Sequence, residues 1–126
     1  MTFVHPNIEV QSTKIGVGDS GDNTIIAAVA DKIIQVFGFQ LETDTSKVGF
    51  YWRDGTANLW GDSTHRGIIH PSVSLTGMSN KGIVVGPSIV PIFWTQDVNR
   101  AVILNLDGAV AVGGAIQWNA VTPESS

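Results

Sequence analysis

Residues 33–55 read IIQVFGFQLETDTSKVGFYWRDG, and this stretch carries the clearest fold information in the chain. Apolar side chains recur at every second position of its two halves, at Phe37, Phe39, Leu41, Val48, Phe50 and Trp52. Alternation with a period of two is typical of half-buried β-strands. The pair Asp54-Gly55 then favours a tight hairpin turn. The stretch therefore predicts consecutive antiparallel strands with one face turned toward a core.

The same pattern continues along the chain. Inward-facing residues are predicted at Val102, Leu104, Leu106, Val110, Val112, Ile116 and Trp118. Residues 82–85 and 90–95 are expected to be short strands, and Pro87 and Pro91 indicate that these strands lie at an edge or a kink. Fourteen glycines and many β-branched residues disfavour helices. Eight or nine strands predict an all-β, single-domain, antiparallel β-sandwich of the jelly-roll type.

The domain organisation follows from the uniform composition of the chain. Residues 21–121 are predicted to form the β-sandwich domain. Residues 1–20 are patterned less clearly and are expected to be an N-terminal arm or an edge strand. Residues 122–126 form a polar tail, which is expected to fray.

The low charge of the chain limits its function classes. Only 14% of the 126 residues are charged, against about 25% in average soluble domains. This scarcity favours a surface covered by other molecules, although a surface of Ser, Thr, Asn and Gly is an alternative. The net charge of −4 and the absence of a Lys/Arg run argue against a nucleic-acid partner. The sequence contains no apolar run of 18 residues, so a membrane-spanning helix is not expected.

No residue pattern predicts catalysis, a metal or another cofactor. Cysteine is absent, and the three histidines are His5, His65 and His70. His65 and His70 lie near Asp62, but their spacing matches no established metal site. The Asp residues lie mostly in turns beside Gly, Asn, Ser or Thr, where their side chains bond to the local backbone. A non-enzymatic protein is therefore expected.

Two strands carry apolar or small side chains where a solvent-facing strand needs polar ones. Ile34 and Val36 lie opposite Phe37 and Phe39 in the alternation. The last strand has small residues at Ala109, Ala111, Gly113 and Ala115. A sheet with one solvated face alternates apolar and polar residues. These positions therefore predict self-association, and a covering loop of the same chain is the alternative.

The four tryptophans are the remaining candidates for ligand contact. Trp52 and Trp118 follow the core alternation and are assigned to the core. Trp60 and Trp94 lie near turns, where they are candidates for a surface that stacks on sugars. Partial burial at the sheet rim is the alternative for both.

Three stretches carry a resemblance to a known class of proteins. Residues 21–36, GDNTIIAAVADKIIQV, resemble the opening of small virion proteins of tailed bacteriophages. Residues 101–114, AVILNLDGAVAVGG, resemble their closing strands, and residues 91–95, PIFWT, their short aromatic strand. The likeness covers about residues 21–118, and the class resembled is that of head decoration, or capsid cement, proteins.

The resemblance implies a jelly-roll fold and a structural role. Such a protein would sit on the exterior of the virion head, form a homotrimer and bind the major capsid protein or another virion protein. It would stabilise the head without nucleic acid, membrane or cofactor. The alternatives are a carbohydrate-binding β-sandwich module and a tail- or fibre-associated virion protein.

Overall fold

The computed structural model describes residues 9–44, 46–71 and 82–123. Within these ranges the regular structure is entirely β. Its ten strands are β1 (Gln11–Val17), β2 (Gly21–Ile26), β3 (Ile33–Thr43), β4 (Val48–Arg53), β5 (Asn58–Trp60), β6 (Gly67–Ile69), β7 (Ile83–Val85), β8 (Phe93–Trp94), β9 (Val102–Leu106) and β10 (Val112–Val121).

The strands form two antiparallel sheets with jelly-roll connections. Sheet A has the order β1-β10-β3-β7, and sheet B has the order β2-β9-β4-β5. In sheet A, β8 also pairs with β3 and lies end to end with β7, while in sheet B, β6 extends β5 along β4 in the same way. When each end-to-end pair is treated as one strand, the two sheets read 1-8-3-6 and 2-7-4-5. Successive strands therefore wind around the sandwich, and the predicted all-β, jelly-roll-like sandwich is confirmed.

An aromatic cluster fills the space between the sheets. Phe39 on sheet A lies 5.9 Å from Phe50 and 5.3 Å from Trp52, both on sheet B, measured between ring centroids. Trp60 stacks on Phe50 at 5.3 Å with an interplanar angle of 9°. The residues predicted to face inward between Val102 and Trp118 all pack in or against this core, as do Phe39, Leu41, Val48, Phe50 and Trp52. Phe37, predicted to face the same way, is buried but does not belong to this cluster.

Strand β3 departs from the predicted alternation at one point. Gly38 pairs with Gln117 and Val36 with Trp118, so Phe37 has no partner on β10 and forms a β-bulge. A bulge shifts the alternation by one residue. Ile34 and Val36 therefore point into the same core as Phe39, and both have no exposed surface. The prediction that Ile34 and Val36 offer a face to a second copy is thus corrected, because the chain buries them itself.

The sandwich includes residues that precede residue 21, the predicted start of the β-sandwich domain. Strand β1 pairs along its whole length with β10 and forms one edge of sheet A. Residues 1–8 of the predicted arm lie outside the described residues, as do residues 124–126 of the predicted tail. Strands β7 and β8 lie on the opposite edge of sheet A, as Pro87 and Pro91 indicate.

Gly114 provides a stability test of this packing. Its φ angle is 141°, and a Cβ atom there would overlap the carbonyl oxygen of Gln40 on β3. We expect Gly114→Ala to lower the free energy of unfolding by more than about 2 kcal/mol, because it adds backbone strain and a steric clash between central strands.

Gly108→Ala is the matched control, since a Cβ atom there meets nothing within 4 Å. Urea denaturation followed by tryptophan fluorescence would measure both variants. Equal stability of the two would contradict the described pairing of β10 with β3.

Candidate functional site

The polar residues that the sequence groups near His65 form a local turn. The Asp62 carboxylate accepts hydrogen bonds from the backbone nitrogens of Thr64 (2.8 Å) and His65 (2.7 Å). Hydrogen bonds from the side chain and backbone of Thr64, and from His65, lower the pKa of Asp62 to about 2. His70 is exposed, and His5 lies outside the described residues. Within the described ranges, no group of three His, Cys, Asp or Glu side chains could hold a metal ion.

A second polar cluster is buried and ties two loops together. The side chain of Asp54, which follows β4, has no exposed surface. It accepts hydrogen bonds from the backbone nitrogens of Ala57 at 2.7 Å and Gln96 at 2.9 Å, and from Arg100 at 3.1 Å. Asp54 therefore fixes the loop between β8 and β9 against the β4–β5 turn. Its groups are all engaged within the chain, so the cluster is structural.

An open cleft of about 810 Å³ lies where the β1–β2 turn, the end of β3 and the start of β10 meet. Ala111 and Gly113, two of the predicted self-association residues, form part of its wall. The Asn23 side chain on this wall donates to the backbone oxygens of Asp19 at 2.8 Å and Gly21 at 3.1 Å. The hydrogen bonds of the Asn23 amide therefore stabilise the conformation of the β1–β2 turn.

The loop of residues 86–92, between β7 and β8, is held firmly but exposes apolar side chains. The backbone nitrogens of Ser88 and Ile92 donate to the oxygens of Phe37 and Val36, both at 2.8 Å. Pro87 packs so closely on Gly38 that a Cβ atom at Gly38 would lie 2.8 Å from the Pro87 Cα. At the tip, Ile89 is 98% exposed and Val90 is 59% exposed. A fixed loop with free apolar side chains is suited to contact another molecule.

The small residues of the last strand lie in two places. Ala109 and Ala111 are exposed in the connection that leads to β10. Gly113 and Ala115 belong to β10 itself and alternate with the buried Val112 and Ile116. They therefore lie on the outer face of sheet A. Of the six residues predicted for self-association, these four remain at the surface.

The structure separates the two candidate ligand-binding tryptophans. Trp60 is partly buried and packs against the core, with its ring 5.6 Å from Phe39. Trp94 is 48% exposed, on the edge strand of sheet A. The two rings therefore do not form one sugar-stacking surface, and Trp94 alone stays available.

The sequence reasoning did not identify the tip of the 86–92 loop as a surface. It assigned Val90 to a strand over residues 90–95, whereas β8 covers only Phe93 and Trp94. The sequence did contain a signal for an exposed loop at this point. The apolar pair Ile89-Val90 lies between Pro87 and Pro91, and proline limits pairing in a sheet.

Comparison with known proteins gave no relative from which a function could be transferred. The chain matches no protein-family model, and no curated protein or solved structure matches it either. The part of the chain described by the structure contains no helix long and apolar enough to cross a membrane.

The Asp54 cluster predicts a specific dependence of stability on pH. Burial raises the pKa of Asp54, but hydrogen bonds from Ala57, Gln96, Thr56 and Arg100 outweigh it, so the pKa lies below the ordinary 3.8. The carboxylate therefore stabilises the fold fully above the unfolded-state pKa, and this contribution is lost as the pH falls through the lower folded-state pKa.

We expect Asp54→Asn to lower the free energy of unfolding by about 2 kcal/mol at neutral pH and to flatten its decline in acid. Denaturant titrations from neutral to acidic pH would measure both effects. Asp19→Asn is the control, because the Asp19 carboxylate accepts no hydrogen bond from the described residues. An acid profile of Asp54→Asn parallel to that of the wild type would contradict the assignment.

Proposed function

We propose that the protein is a non-enzymatic structural virion protein, a decoration protein that binds the outer surface of the capsid and stabilises the head. Two kinds of evidence support this. The sequence resembles small virion proteins at residues 21–36 and 101–114. The chain also folds into a jelly roll, an architecture found in viral capsid domains among others.

The single observation that carries the proposal is the fixed apolar tip of the 86–92 loop. Ile89 contributes almost nothing to the core of the chain, because 98% of its surface is exposed. Burying such a side chain in a partner is worth roughly 1.5–3 kcal/mol. The hydrogen bonds to Phe37 and Val36 hold the loop in place, so binding loses little conformational entropy. The proposed partner of the tip is the major capsid protein.

The proposed assembly state is a homotrimer, which follows from the resemblance. Three copies of the tip would engage the capsid at once, so that modest individual contacts add up to tight attachment. Reinforcement of the shell then follows, since one trimer joins neighbouring capsid subunits.

The test uses capsids assembled from the major capsid protein encoded with this chain. We expect the wild type to co-sediment with them saturably, and Ile89→Asp to bind at least tenfold more weakly, because a charge would enter an apolar contact. Ile68→Asp is the matched control, since Ile68 is 47% exposed on the other sheet. Failure of the wild type to bind would refute the proposal, and equal binding by Ile89→Asp would refute the role of the tip.

A second candidate function, carbohydrate binding, is favoured by Trp94. Its ring is 48% exposed and stacks on no described aromatic ring. The side-chain amide of Gln96 donates a hydrogen bond to the Trp94 backbone oxygen at 3.2 Å. Gln35 on β3 is the strand partner of Trp94. An exposed indole flanked by amides can stack on a sugar ring and bond its hydroxyl groups.

A glycan array would test this second function. We expect any bound glycan to be lost with Trp94→Ala and retained with Trp60→Phe, which keeps the stacked core ring. If the wild type bound no glycan on the array, this would exclude binding of the displayed glycans by the protein.

A further inference from the structure

The outer face of sheet A differs in composition from an ordinary solvated surface. We define this face by the outward residues of its three longest strands, namely Ser12, Lys14 and Gly16 on β1, Gly113, Ala115, Gln117 and Asn119 on β10, and Gln35, Gln40 and Glu42 on β3. On each strand these positions alternate with residues that pack in the core, such as Ile15, Ile116 and Leu41.

The middle of the face is open to close approach. Gly16 pairs with Gly113, and Lys14 pairs with Ala115. A Cβ atom at Gly16 would meet nothing within 4 Å, and one at Gly113 would have only the Ile15 oxygen near it, at 3.8 Å. A second backbone could therefore approach these strands closely at Gly16 and Gly113.

The polar groups of the face are mostly amides. Gln35, Gln40 and Gln117 each carry a donor and an acceptor, so a face of this kind can bond to a copy of itself.

The charges of the face also complement a second copy. Lys14 on β1 and Glu42 on β3 are exposed, have opposite signs and form no ion pair within the described residues. Sheet B differs, because its outer face pairs Arg53 with Asp22 at 2.7 Å in the same chain. Rotational symmetry in a closed oligomer can bring a Lys14 against the Glu42 of a neighbouring copy.

We infer that the outer face of sheet A is the interface between copies of this chain, with Lys14 of one copy paired with Glu42 of the next. The inference deepens the proposed function, since it names the surface through which the oligomer forms. It also retains Gly113 and Ala115 from the sequence prediction and replaces Ile34 and Val36.

The test is a charge exchange across the proposed interface, measured by sedimentation velocity over a range of protein concentrations. We expect Lys14→Glu and Glu42→Lys each to raise the dissociation constant of the oligomer at least tenfold. The double variant Lys14→Glu/Glu42→Lys should restore association to near the wild-type value, because it recreates the opposite charges.

A steric variant tests the same face independently of the ion pair. We expect Ala115→Arg to dissociate the oligomer, whereas Thr24→Arg, exposed on β2 of sheet B, should leave it intact. Circular dichroism would confirm that both variants keep the fold.

The possible results separate this inference from the proposed function. A wild type that stays monomeric at all concentrations overturns the inference, and so does an oligomer unaffected by Ala115→Arg. Single charge variants that associate normally, or a double variant that stays dissociated, overturn the Lys14–Glu42 pairing. An oligomer that behaves as expected but does not bind capsids would support the interface and refute the capsid role.

Discussion

Phe39 contacts aromatic rings from three other strands, and this cluster joins the two sheets. Its ring lies within 6.3 Å of rings on β4, β5 and β8, measured between centroids. Aromatic pairs contribute stability beyond the area they bury, and their preferred geometries limit how the sheets can slide. Because β3 and β4 are central strands in sheets A and B, the cluster fixes the register on which the edge strands depend.

The bulge at Phe37 links this core to the surface. Phe39 must face inward, and the bulge lets Ile34 and Val36 face inward as well. At the bulge, the backbone oxygens of Val36 and Phe37 accept hydrogen bonds from the 86–92 loop instead of from a strand. The deviation that completes the core therefore also anchors the loop that exposes Ile89. A buried packing requirement and a candidate binding surface thus share one structural cause.

The outer faces of the two sheets differ in how far their polar side chains pair within the chain. On sheet B, Asp22 bonds to both Arg53 and Asn105 at 2.7 Å, and Arg66 lies 4.9 Å from the centroid of the Tyr51 ring. These contacts occupy the polar side chains within the chain. On sheet A, small residues and amides dominate, and Lys14 and Glu42 have no ion-pair partner among the described residues. This asymmetry is the reason for proposing the outer face of sheet A, rather than that of sheet B, as the interface between copies.

The sequence by itself determined the all-β class and the inward positions of β4, β9 and β10. It also limited the strands near Pro87 and Pro91 to an edge or a kink, and the structure decided for the edge. Alternation and turn chemistry act between near neighbours, so they can be read from a single chain. It identified Gly113 and Ala115 as unusual outward residues for the same reason. The tertiary structure decided the bulge at Phe37, the burial of Ile34 and Val36, the separation of Trp60 from Trp94 and the exposure of Ile89. Each of these depends on partners distant in the chain, and the local pattern carries no information about which strand or loop will supply them.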